Sequence, residues 1–168
     1  MNIVLIGYRG TGKSAVGALL AERLGMRLVG MDALLVERAG MPIPRIVERE
    51  GWPGFRDRES ALARELAALD NAVIDCGGGI IERPENLAAL RANGRVVWLR
   101  AAVPTIVTRI QGDTQRPSLT GAKSFTDEVA EVLERRAPLY EAAADLAIDT
   151  DPLTPDQVAE RILARLRE

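Results

Sequence analysis

Apolar residues follow two alternating patterns along this chain. Short continuous runs read as buried strands, and longer stretches with apolar residues three and four apart read as amphipathic helices. Ile3-Val4-Leu5-Ile6 is the first run, ended by Gly7; Arg27-Leu28-Val29, residues 71–75, residues 95–99 and Leu146-Ala147-Ile148 are the others. Helical spacing covers 14–24 and 33–39, stopped by Gly25 and Gly40, and then 43–50, 55–69, 84–93, 104–110 and 126–143. Gly51-Trp52-Pro53-Gly54 separates two of these stretches, and Thr126 stands where an N-cap belongs. Pro138, inside a helical pattern, predicts a kink or a boundary. Thr154-Pro155-Asp156-Gln157 opens the last helix as a capping box with proline at its first position. Five buried strands alternating with helices predict an α/β fold, a parallel sheet covered on both faces. With no linker, repeat or low-complexity segment, residues 1–168 read as one domain. The stretch 111–124 is polar, lacks periodicity and carries Arg116-Pro117, so it reads as a mobile loop.

Composition changes the picture mainly by exclusion. A chain of 168 residues, 47% hydrophobic and 27% charged, suits a single globular core. A net charge of −2 provides no basic field for nucleic acid or a membrane surface. There is no histidine and only one cysteine, Cys76, so Cys/His zinc sites, His-based nucleophilic dyads and internal disulfides are excluded. Cys76 itself reads as a small core residue. The start of the chain lacks a basic leader, and no apolar run reaches bilayer length. These features predict a cytoplasmic enzyme or binding domain. Nothing reads as an obligate interface, which predicts a monomer.

The chemistry begins at Gly7-Tyr8-Arg9-Gly10-Thr11-Gly12-Lys13-Ser14, which matches G-x-x-x-x-G-K-[ST] at every fixed position. Glycines let the backbone wrap an anion with its N–H groups, and the following helix adds its positive end. Lys13 can reach the outer phosphates and the Ser14 hydroxyl can ligate Mg²⁺. A glycine-rich strand-to-helix turn needs neither the lysine nor the serine, so the loop predicts a nucleoside triphosphate site. Neither lysine lies in the Asn-Lys-x-Asp motif of a small GTPase. A short chain with a late arginine-bearing polar loop suits a small-molecule kinase with a lid.

Three further clusters are candidates for the acceptor side. Gly77-Gly78-Gly79 follows the third strand, where open parallel sheets bind ligands, and three glycines would let the backbone approach a substrate closely; the lesser alternative is a flexible strand exit. Arg56, one turn into a helix after the Trp-Pro-Gly break, reads on composition alone as a solvated helix face. Arg136 immediately precedes Ala137-Pro138-Leu139-Tyr140.

Taken in order, GYRGTGKS, Asp32 in GMDALLVERAG, Phe55-Arg56, Gly77-Gly78-Gly79, Arg116-Pro117 and Arg136-Ala137-Pro138-Leu139-Tyr140 resemble the shikimate kinase family nearly end to end. The resemblance implies a three-layer kinase fold of the nucleoside-monophosphate-kinase type, with sheet order 2-3-1-4-5, a substrate subregion at about 32–60 and a lid at about 111–124. It implies transfer of the γ-phosphoryl of ATP, with Mg²⁺, to the 3-hydroxyl of shikimate, a step of chorismate and aromatic amino-acid biosynthesis. Gly7, Gly10, Thr11, Gly12, Lys13, Ser14 and Ala15 would hold the nucleotide, and Arg109 would lie near the adenine. Arg56 and Arg136 would hold the shikimate carboxylate, assisted by the Gly77–Gly79 backbone. Asp32 would bind the ring hydroxyls and take the proton of the attacking one. Arg116 would approach the transferring phosphate alongside Lys13.

The sequence departs from the family at one acid. The family pattern is Asp-x-Asp after the second strand, and here it reads Gly30-Met31-Asp32, so the metal-side carboxylate is missing. Asp75, at the end of the third strand, offers a replacement from the opposite side of the site. It would stand where a Walker-B carboxylate holds a metal-bound water, the alternative being a cap on the glycine turn. Two readings stay beside the leading one. A related kinase could act on another carboxylate-bearing acceptor such as gluconate, or Gly30 could mark a nucleotide-binding module without catalysis. Asp32 could alternatively be the N-cap of the helix from Ala33. Trp52 could cover the substrate pocket or pack within its own segment.

Overall fold

The computed structural model describes residues 1–111 and 125–168. Five parallel strands form one sheet in the order β2-β3-β1-β4-β5: β1 (Asn2–Ile6), β2 (Arg27–Gly30), β3 (Ala72–Asp75), β4 (Gly94–Arg100) and β5 (Leu146–Asp149). This is the order the resemblance implied. The helices are α1 (Lys13–Leu24), α2 (Met31–Ala39), α3 (Ile43–Leu66), α4 (Pro84–Arg91), α5 (Val103–Ile110), α6 (Phe125–Ala143) and α7 (Pro155–Leu166).

Alternate residues of each strand feed opposite faces of the sheet, which is why the strands read as unbroken apolar runs. Val4, Ile6, Ile74, Val96 and Trp98 pack with α2, α3, α4 and Tyr140 of α6 on one face. Ile3, Leu5, Val73, Val97 and Leu99 pack with α1 and α7 on the other. A third cluster joins Tyr8 to Ile106 and Ile110 of α5 and to Val129 and Val132 of α6. Among the described residues no helix is long and apolar enough to cross a membrane.

Several local expectations are corrected. The break at 51–54 is a kink at Gly51 alone (φ 71°, ψ 174°), after which α3 resumes and Pro53 falls in the first turn of its second arm. Proline is tolerated there because first-turn N–H groups have no helical partner. Helix α6 runs on through Pro138 rather than ending near it. A proline inside a helix costs about 3 kcal/mol, and the burial of Tyr140 and Arg136 on either side offsets that locally. Thr126 lies inside α6, which begins at Phe125, and so does not cap it. Gly30 is the N-cap of α2, which places Asp32 within the first turn and not at its cap. The capping box at Thr154 is as expected: Gln157 N donates to Thr154 Oγ1 (3.2 Å) and Thr154 N donates to Gln157 Oε1 (2.9 Å).

Candidate active site

The central strand β1 delivers the glycine loop to the carboxyl edge of the sheet. Gly10 (φ 83°) and Gly12 (φ 92°) take left-handed backbone there, which turns successive N–H groups inward ahead of α1. Thr11 Oγ1 donates to Tyr8 O (2.8 Å), and Lys13 Nζ donates to Gly7 O (2.8 Å) and Tyr8 O (3.0 Å). The lysine thus lies across the loop, buried, with its charge at the mouth of an anion cradle. Beside the loop is a cleft of about 380 Å³ lined by Gly10, Gly12, Arg109, Thr150, Leu153 and Pro155. Arg109 Nη1 donates to Gly10 O (3.0 Å), so this arginine is tied to the loop it flanks.

A larger cleft, about 780 Å³, opens on the other side and is lined by Lys13, Ser14, Gly30, Asp32, Asp75 and Gly78 among others. Ala15 and Gly77 also reach it. Ser14 Oγ donates to Asp75 Oδ2 at 2.7 Å, so the carboxylate faces the loop hydroxyl rather than capping the glycine turn. Gly30 is the direct register partner of Asp75 across β2 and β3. Asp75 therefore does not sit opposite position 30, as the sequence suggested; it is the neighbour one strand over. In a parallel sheet that spacing is about 4.8 Å, so a carboxylate moved from 30 to 75 stays at the same corner of the cleft. Burial pushes the Asp75 carboxyl up, with Asp32 adding to it, against the pull of Lys13 and Ser14. Burial also pushes the Cys76 thiol well up, consistent with an inert core residue.

The wall expected on the acceptor side is built from two arginines and two glycines. Arg56 is not a solvated surface residue: its side chain is 12% exposed and its Nη1 donates to the buried Glu59 (3.0 Å). The guanidinium lies 5.1 Å from the Trp52 ring centre, so Trp52 backs the arginine, and Trp52 meets Phe55 edge-on at 5.7 Å. A Cβ built on Gly79 would fall under 3.0 Å from the Arg56 Nη1, Nη2 and Cζ atoms. Only glycine admits that approach, so the glycine run is a close-packed wall and not merely a flexible exit. Arg136 is 4% exposed, and its Nη1 stands 3.5 Å from where a Gly78 Cβ would be. Its Nε donates to Glu82 Oε1 (2.7 Å), and its guanidinium lies 5.7 Å from the Tyr8 ring centre. Tyr140, fully buried and stacked on Trp98, donates its hydroxyl to Gly78 O and fixes the middle of the run.

The two guanidiniums are close enough to feel each other. Burial, together with the Arg136 charge, holds the Arg56 guanidinium below its ordinary value despite Glu59. Burial also pulls on Arg136, but Tyr140 and Glu82 outweigh it and hold that group above its ordinary value. An oxyanion ligand entering between the arginines would relieve that repulsion.

The structure thus gathers Gly7, Gly10, Thr11, Gly12, Lys13, Ser14, Ala15, Asp32, Arg56, Asp75, Gly77, Gly78, Gly79 and Arg136 at one edge of the sheet, with Arg109 on the adjoining cleft. Arg116 and the stretch expected to form the lid lie outside the described residues, apart from Gln111. Sequence reasoning missed Glu59, Glu82 and Tyr140. Tyr140 was quoted only as part of a motif, and nothing in composition or spacing marks a surface-type glutamate as the partner of an arginine fifty-four positions away.

A family model described as shikimate kinase matches residues 9–167. A shikimate kinase from Pseudomonas syringae pv. syringae is 44% identical over 167 residues, covering 99% of this chain and 96% of its own. One from Dehalococcoides mccartyi is 40% identical, with 99% and 94% covered. Among solved structures, a shikimate kinase from Acinetobacter baumannii in complex with shikimate superposes with a TM-score of 0.94 at 34% identity, covering 98% of this chain and 92% of that one.

Proposed function

The chain belongs to the shikimate kinase family, and from that premise we infer that it transfers the γ-phosphoryl group of ATP to the 3-hydroxyl of shikimate. The observation that carries the reading is the pair of guanidiniums, the buried Arg136 and the partly buried Arg56, set against Gly78 and Gly79 beside the cleft that holds Lys13 and Asp32. A planar carboxylate matches guanidinium forks better than it matches a point charge. An acceptor anchored there by its carboxylate presents its hydroxyls towards the cleft and its phosphate loop. Asp32 then binds those hydroxyls and accepts the proton of the one that attacks.

The loop amides and Lys13 hold the β and γ phosphates, and Arg109 flanks the nucleotide on the adjoining cleft. Phosphoryl transfer asks mainly for positioning and charge stabilisation, so a chain without histidine lacks nothing it needs. The oxygen donors at the loop fit Mg²⁺, a hard ion that keeps several waters. Ser14 would ligate it, and Asp75, 2.7 Å from the Ser14 hydroxyl, would hold its hydration shell. When bound, the ion neutralises charge on the phosphates. Residues 32–60 form the substrate side of this single-domain reading, which also takes the enzyme as a cytoplasmic monomer whose partner is a small molecule. The net charge of −2 favours no nucleic-acid or membrane partner.

The test is ADP release with ATP and Mg²⁺ in the presence of shikimate, gluconate or no acceptor. Shikimate-dependent turnover in the ordinary kinase range of roughly 1–100 s⁻¹ is expected. Turnover that prefers gluconate, or nucleotide binding without acceptor-dependent turnover, would overturn the reading.

A further inference from the structure

Glu82 ends a 3-10 turn, Ile80–Glu82, directly after the glycine run, and its N–H donates to Gly79 O at 3.0 Å. From there its carboxylate reaches α6 and engages two arginines at once. Oε1 accepts from Arg136 Nε at 2.7 Å and Oε2 accepts from Arg135 Nη1 at 2.9 Å. Arg135 is largely exposed, whereas Arg136 is not. The glutamate is therefore an anchor between the glycine wall and the helix that supplies one of the acceptor arginines.

The atom it uses on Arg136 matters. A guanidinium has donors on Nε and on both terminal nitrogens, in a rigid plane. Fixing Nε fixes that plane and turns the terminal edge, beside Gly78 and the Tyr140 hydroxyl, towards an acceptor carboxylate. A buried arginine without such a partner, facing a second buried arginine, would turn away or draw in any small anion. Swapping a whole buried ion pair for packed apolar residues often leaves stability unchanged, so orientation is the better account of why charged groups stand here.

We propose that Glu82 is a positioning residue for acceptor recognition: it holds Arg136 by Nε so that the terminal nitrogens meet the substrate carboxylate. This rests on the reading of the acceptor as shikimate. Glu82→Leu and Glu82→Gln test it in the full chain, using calorimetry with shikimate and steady-state kinetics with both shikimate and its methyl ester, which carries no carboxylate. In Glu82→Leu, shikimate affinity falls about tenfold or more, while the KM for ATP is unchanged. Glu82→Gln, whose amide oxygen still accepts from Nε, recovers part of the loss. The kcat/KM for the methyl ester stays within about threefold of the parent in both variants, because the clamp has no carboxylate to orient. Equal shikimate affinity in parent and Leu variant would overturn the proposal, as would equal losses for acid and ester, which a merely structural role produces. A parent protein that binds no shikimate would overturn the functional reading and this proposal together.

Discussion

Replacing Gly79 by alanine adds one methyl group at the tightest contact of the acceptor wall. The backbone accepts it, since Gly79 has φ −92° and ψ 12°, a region open to any residue. The space does not, because the new Cβ would lie under 3.0 Å from three atoms of the Arg56 guanidinium. The clash is with the far end of a flexible side chain, so the arginine moves and the main chain stays. Once displaced, it remains tethered to Glu59 and Trp52, away from the substrate carboxylate. A hydrogen bond to a charged group is worth about 1.5–3 kcal/mol. At about 1.4 kcal/mol per tenfold, the KM for shikimate should rise roughly 10- to 150-fold. Because the carboxylate takes no part in the chemistry, kcat and the KM for ATP should change by less than about threefold. Gly78→Ala is the internal control: its Cβ would meet Arg9 N at 3.3 Å, a tight contact that a small shift relieves, and Arg136 Nη1 at an ordinary 3.5 Å. Its effect on the shikimate KM should be the smaller of the two. The assay is steady-state kinetics with a melting curve for each variant. The Gly79→Ala melting temperature should fall by no more than about 4 °C. A folded Gly79→Ala protein with the parent's KM for shikimate would refute the placement of Arg56 in the acceptor site.

Three other outcomes are expected. Asp75→Ala should weaken Mn²⁺ binding to the ADP complex, read by electron paramagnetic resonance, by about tenfold or more, and raise the Mg²⁺ needed for turnover. Adding Gly30→Asp should recover part of that, since a Cβ at 30 meets nothing nearer than Ala33 Cβ at 3.9 Å; an unchanged metal requirement in Asp75→Ala would sink the metal role of Asp75. Tyr140→Phe leaves the Gly78 carbonyl without its buried donor and should cost about 1–1.5 kcal/mol, seen as a lower denaturant midpoint. Burial pushes the Glu82 carboxyl up, but Arg136 and Arg135 more than cancel this and hold it below its ordinary 4.5. Its ion pairs therefore contribute fully above that value and are lost as the pH falls through the lowered one. The stability gap between parent and Glu82→Gln should be present at pH 7 and narrow as the pH falls into the acid range; a gap that stays constant throughout acid titration would contradict the ion pairs as its source.

What the sequence revealed and what it hid divide along physical lines. The phosphate loop was legible because its chemistry is local: glycines, lysine and serine at fixed spacing make one anion cradle. The strands were legible because a sheet covered on both faces demands unbroken apolar runs. Helix ends at Gly25 and Gly40 showed for the same local reason. The kink at Gly51 was blurred into a four-residue break because Pro53 looks like a helix breaker until it falls in a first turn. Pro138 misled in the opposite sense, since packing around Tyr140 and Arg136 overrides a local cost. The nearness of positions 30 and 75 depends on strand register, which long-range packing sets. Arg56 read as surface because its burial comes from Trp52, Gly79 and Glu59 together, none of them predictable as its neighbours. Glu82 is hidden for the same reason, its arginine partners lying on a helix that follows three further elements of the fold.

The most direct test of the central claim is the identity of the product. Phosphorus and proton nuclear magnetic resonance of a reaction containing the protein, ATP, Mg²⁺ and shikimate should show a phosphomonoester whose phosphorus couples to the ring proton at carbon 3, formed in step with ADP. Inorganic phosphate as the only new phosphorus species besides ADP, or a phosphate coupled to another ring position, would contradict the acceptor geometry proposed for Asp32, Arg56 and Arg136.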